Sequence, residues 1–150
     1  GDTLLLVGFG PHGGRGFVLT QEGTRVDFES HLPRELPFPP EYMLQDIHRT
    51  WFRGLAGPRP DGEHRLTVGD EAIVETWAGG RLRERSFRRL DDARPGAVRV
   101  SYEGGLGADA PPERVVVDNG WFGYRLVLTT LSHQRIPDDG PAGEGSEAQP

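Results

Sequence analysis

The 150-residue chain has no cysteine and no lysine, and only one methionine. The missing cysteine excludes disulfides, thiol catalysis and cysteine-based zinc sites together. All 17 basic residues are therefore arginine, set against 23 acidic ones for a net charge of −6. Nucleic-acid-binding domains are typically basic, with a pI above ~9, so a general nucleic-acid surface is not expected. Long apolar runs are missing too: no stretch approaches the ~20 consecutive residues of a membrane-spanning helix. Apolar residues make up only 35 %, whereas Gly (22) and Pro (13) are abundant. That composition argues against a helical bundle and for short strands joined by turns.

Strand-like runs fill most of what remains. Thr3–Phe9, Gly16–Gln21 and Thr24–Glu29 read as three short strands in a meander. The prolines at 33, 37, 39 and 40 exclude a helix or central strand there. The one amphipathic helix is predicted at Glu41–Arg53, opened by Pro40 and closed by Gly54, with Leu44, Ile47, Trp51 and Leu55 at helical spacing. Strand patterns return at His64–Val68, Glu71–Ala78, Arg81–Leu90, Ala97–Glu103, Glu113–Asp118 and Phe122–Ser132. Turn signals such as Gly79-Gly80 and Asn119-Gly120 separate them, and connections this short make antiparallel pairs.

Val98, Val100 and Tyr102 alternate with polar neighbours, as do Val115 and Val117, and Tyr124, Leu126 and Leu128. The expectation is one mainly β domain over residues 1–135: a curved antiparallel sheet of about nine strands, apolar on one face and partly covered by the helix. From Ile136 onward the polar, acidic sequence predicts a disordered tail.

Gly8-Phe9-Gly10-Pro11-His12-Gly13 matches the G-x-G-x-x-G pattern of dinucleotide-binding folds, with Glu29 near the place of a ribose-binding acid. That fingerprint needs a helix after its last glycine, and here the β-type run Phe17-Val18-Leu19-Thr20 follows. A hairpin turn is expected, and no cofactor. The histidines at 12, 31, 48, 64 and 133 are scattered singly, and no serine stands in a nucleophile-elbow setting. No metal site and no catalytic residues are predicted, so the chain does not read as an enzyme. Arg81, Arg83, Arg85, Arg88 and Arg89 crowd one strand. They suggest a patch for anionic headgroups or an acidic partner, or else a solvated strand whose charges oppose edge-to-edge pairing.

Taken in order, Leu4–Leu6 with Gly8–Gly16 and Phe17–Leu19, the Pro-rich lead into Tyr42-Met43-Leu44-Gln45-Asp46-Ile47 and Trp51, Arg99-Val100-Ser101-Tyr102-Glu103, Val115–Asn119 and Gly123-Tyr124-Arg125-Leu126 carry a resemblance. The chain resembles an uncharacterised family of bacterial outer-membrane lipoproteins related to LolB, the lipoprotein-localisation receptor of the LolA/LolB-like superfamily. The resemblance implies an unclosed half β-barrel with a helical lid and an apolar cavity for an acyl chain. It also implies a place on the periplasmic side of the outer membrane, and lipid, a lipoprotein or another envelope protein as partner. Phe17, Phe28, Leu44, Ile47, Trp51, Val100, Leu126 and Leu128 are the expected lining. The lipid-attachment cysteine and opening strands of that family do not appear in this sequence, so those strands are expected to be missing or supplied by another segment. The alternative is a structural or protein-interaction domain with a fully packed interior.

Overall fold

The computed structural model describes residues 3–9, 12–35, 39–91 and 93–134. The expected tail from Ile136 lies outside the described residues, as do Gly10 and Pro11 of the glycine-rich segment. Among the described residues there are nine strands and one helix: β1 (Thr3–Phe9), β2 (Arg15–Glu22), β3 (Arg25–Ser30), α1 (Pro40–Trp51), β4 (Gly62–Val68), β5 (Glu71–Ala78), β6 (Arg81–Arg89), β7 (Val98–Leu106), β8 (Arg114–Asn119) and β9 (Tyr124–Thr129). The fold is mainly β and antiparallel with one helix, as the turn spacing requires, and the described strands close no barrel.

The strands form two sheets, β1-β2-β3 and β4-β5-β6-β7-β8-β9, rather than the single sheet of about nine that alternation suggested. Hairpin turns hold each sheet's neighbours in register. The link from β3 to β4 is no such turn: it carries the prolines and α1. The chain divides accordingly into two compact units, one ending at Gly54 and the other starting at Leu55.

In the first unit, Gly8 pairs with Phe17, and Leu6, Leu19 and Phe28 align across the three strands. Gly8 lacks a side chain where one would collide with the Phe17 ring, a Cβ there lying 2.2 Å from a ring carbon. The Phe17 and Phe28 rings pack with centroids 5.9 Å apart, and Leu19 is fully buried. Helix α1 is tied to β2 by a 2.8 Å hydrogen bond between His48 Nε2 and Gln21 Oε1. Its buried residues are Leu44, Asp46, Arg49 and Thr50, whereas Ile47 and Trp51 are half-buried. The helix stops at Trp51, short of the expected Arg53. The amides of Phe52 and Arg53 both turn back to the His48 carbonyl, so Phe52 rather than Gly54 caps it.

In the second unit one face of the sheet is buried. Ile73, Leu82, Phe87, Val98, Val100, Val115 and Val117 are at most 1 % exposed. Each such side chain contributes about 1.5–3 kcal/mol on leaving water. The strand β6 defied a simple alternation because it bulges: Trp77 pairs with Leu82 but Thr76 with Glu84, leaving Arg83 as the extra residue. The bulge shifts the parity of the strand, so Leu82, Arg85 and Phe87 all point inward.

Candidate functional site

Where β5 turns into β6 and β7 ends, the second unit holds a pocket of about 300 Å³. Its walls are Leu55, Gly57 and Pro58 from the segment before β4, Trp77 of β5, Leu82 and Arg85 of β6, and the run Leu106–Ala108. Backbone geometry makes the opening. Gly79 and Gly80 take φ of 62° and 71° in the turn, a left-handed pair that suits glycine. Asp61 fixes that turn by accepting the amides of Gly79 and Gly80 at 3.0 and 3.1 Å. These two bonds hold its carboxyl below the usual carboxylate range, aided by the charge of Arg83.

Beside the pocket, the buried face carries an ion pair. Glu75 and Arg85 sit opposite each other in register, with Arg85 Nε 2.8 Å from Glu75 Oε1. Both side chains are almost wholly buried. Glu75 Oε1 also accepts the Leu55 amide at 3.0 Å, and Oε2 accepts Trp77 Nε1 at 3.1 Å. The carboxylate is thus satisfied on both oxygens, as a buried charge must be. It fastens to the sheet both the loop that starts at Leu55 and the indole that lines the pocket. Burial pushes the Tyr102 hydroxyl above its ordinary pKa, while a hydrogen bond and the charge of Arg85 pull it the other way.

The predicted acyl-chain lining divides between the two units. Phe17, Phe28, Leu44, Ile47 and Trp51 lie in the first, and Val100, Leu126 and Leu128 in the second. Val100 and Leu126 share a cross-strand row through Val117, with Val100 fully buried and Leu128 40 % exposed. None of the eight is among the residues that line the pocket. The large apolar side chains in its walls are Leu55, Trp77, Leu82 and Leu106. The arginine cluster separates as well: Arg85 is buried in its ion pair, Arg89 bonds Asp70 and Asp91, and Arg88 is exposed. Strand alternation and the bulge send neighbours to different faces, so Arg85 leaves the expected headgroup patch. Arg81 and Arg83 remain near the pocket, donating to the carbonyls of Gly105 and Ala78.

The segment after Gly13, where a dinucleotide site needs a helix, is the strand β2. Among the described residues no cluster of three histidine or acidic side chains has metal-site geometry, and no helix is long and apolar enough to cross a membrane.

Neither the curated proteins nor the solved structures contain a match to this sequence. A family model described as "Protein of unknown function (DUF3261)" matches residues 1–132. With the match extending over most of its length, the chain belongs to the DUF3261 family.

Proposed function

We propose that this protein binds an acyl chain, free or borne by a lipoprotein, in the pocket beside Trp77, and that it does so without catalysis. The kinship to LolB-related receptors and the periplasmic face of the bacterial outer membrane are part of this reading and rest on the resemblance in sequence. The observation that carries it is the pocket of about 300 Å³ with Trp77, Leu82, Leu106 and Leu55 in its walls. Small-ligand sites are mostly apolar clefts with a few fixed polar groups, and their volumes start at about this size. Reversible burial of a chain would yield up to about 0.8 kcal/mol per methylene. The non-catalytic part is supported by Glu75 and Arg85, whose bonding serves the architecture of the site.

Native mass spectrometry of the protein with added laurate tests the reading, using wild type and Ala108→Trp. Ala108 is exposed and lines the pocket, so a bulky residue there should obstruct it at little cost in stability. Wild type should retain one ligand and the variant should lose it with its melting temperature kept. Absence of any adduct with wild type would overturn the proposal in favour of the structural or protein-interaction role.

A further inference from the structure

The pocket's walls are mostly apolar, and two arginines, Arg81 and Arg83, stand beside glycines at or next to its lining. A Cβ at Gly107, which lines the pocket, would stand 3.3 Å from both the guanidinium carbon and Nη1 of Arg81. One at Gly79, in the turn whose second glycine lines the pocket, would stand 3.5 Å from Arg83 Nη2. Both side chains meet at Gly105, where a Cβ would stand 2.6 Å from Arg81 Cβ and 3.4 Å from the Arg83 guanidinium carbon, and Arg81 Nη1 donates to the Gly105 carbonyl at 3.3 Å. Gly105, with φ of 76°, lacks the side chain that would collide with Arg81 here.

The acids nearby are engaged. Asp61 accepts two backbone amides, and Glu75 is occupied by Arg85, Trp77 and Leu55. Among the described residues no carboxylate lies within ion-pair distance of Arg81 or Arg83; their bonds go to backbone carbonyls. An arginine fork donates several N–H groups in a plane, a geometry that matches a carboxylate. The volume is small: about 300 Å³ sits at the lower end for ligand sites and suits one chain rather than several.

Building on the acyl-chain reading above, we infer that the ligand is a single-chain amphiphile with a carboxylate head, its chain against Trp77, Leu82 and Leu106 and its head at Arg81 and Arg83. Arg81 and Arg83 then set specificity for the head, and the apolar walls set it for the chain.

Isothermal titration of the full chain with laurate, dodecanol and dodecyl phosphate separates the parts of this claim. Laurate should bind about tenfold or more tightly than dodecanol, the scale of one charge-assisted hydrogen bond. Arg83→Gln and Arg81→Gln should each narrow that preference while dodecanol binding stays the same, a pattern that misfolding would not give. Equal binding of laurate and dodecanol would overturn the head-group assignment and leave the acyl-chain reading standing. Dodecyl phosphate binding about tenfold more tightly than laurate would overturn the carboxylate in favour of a phosphate head. If no chain binds wild type, the acyl-chain reading itself fails.

Discussion

The two units differ in how fully they bury one face of an antiparallel sheet. In the first, three short strands are tied to α1 by a polar bond, His48 to Gln21. Among the described residues of its sheet only Leu19 is a fully buried large hydrophobic residue, and Leu5 and Phe9 of β1 stay 61 % and 69 % exposed. In the second, six strands bring whole rows together, such as Leu66-Ile73-Phe87-Val98 and Val100-Val117-Leu126. That packing can tolerate a buried ion pair and a pocket at its margin. A larger sheet buries a greater share of its side chains, so the second unit has the surplus from which a pocket can be made.

The sharpest way to break this comparison is to remove one partner of the ion pair. Arg85→Leu strands the Glu75 carboxylate in the core and should cost about 3–5 kcal/mol in urea unfolding. The double variant Glu75→Leu with Arg85→Leu should recover most of that loss; if it does not, the pair is more than a local electrostatic unit. Phe87→Ala, at a site with no exposure, should cost about 3–5 kcal/mol through the cavity it leaves. In the first unit Trp51 is only half-buried, so Trp51→Ala should cost about 1–2 kcal/mol, below the range for a fully buried tryptophan. A loss as large as that of Phe87→Ala would erase the contrast between the units.

The pH dependence sharpens it further. Burial, with a smaller effect of the Arg53 charge, holds the His48 imidazole below its ordinary pKa of 6.5. As pH falls below 6.5 the unfolded chain takes up the proton first, so the stability that the neutral ring supplies above that pH is lost on acidification toward the lowered value. His48→Gln should reduce the fall in melting temperature between pH 7 and pH 5. Asp61 gives the smallest expected effect. Its lowered carboxyl implies a contribution present above pH 3.8 and lost as pH drops below it, and Asp61→Ala should loosen the Gly79-Gly80 turn.

Most strands could be placed from turn chemistry and alternation because those signals are local. Asn119-Gly120 marked a turn, and Asn119 does organise it, its Oδ1 accepting the amides of Trp121 and Phe122. The division into two sheets was hidden, since strand periodicity does not record which strands pair across a long connection. The pocket was harder still. Glu75 shares the parity of Ile73 and Trp77, a signal that it faces inward. Its partner Arg85 was masked by the bulge at Arg83, because an extra residue leaves no period to read. Pro58, Gly80 and Gly107 line the pocket through backbone placement, a property that composition does not report.

The most direct test of a chain-binding pocket in the six-stranded unit uses Trp77 as reporter, with Trp51 and Trp121 replaced by phenylalanine. Laurate brominated along its chain should quench the Trp77 emission saturably, and unlabelled laurate should reverse the quenching. Emission that stays constant across the titration, in a protein that still unfolds cooperatively, would contradict the account.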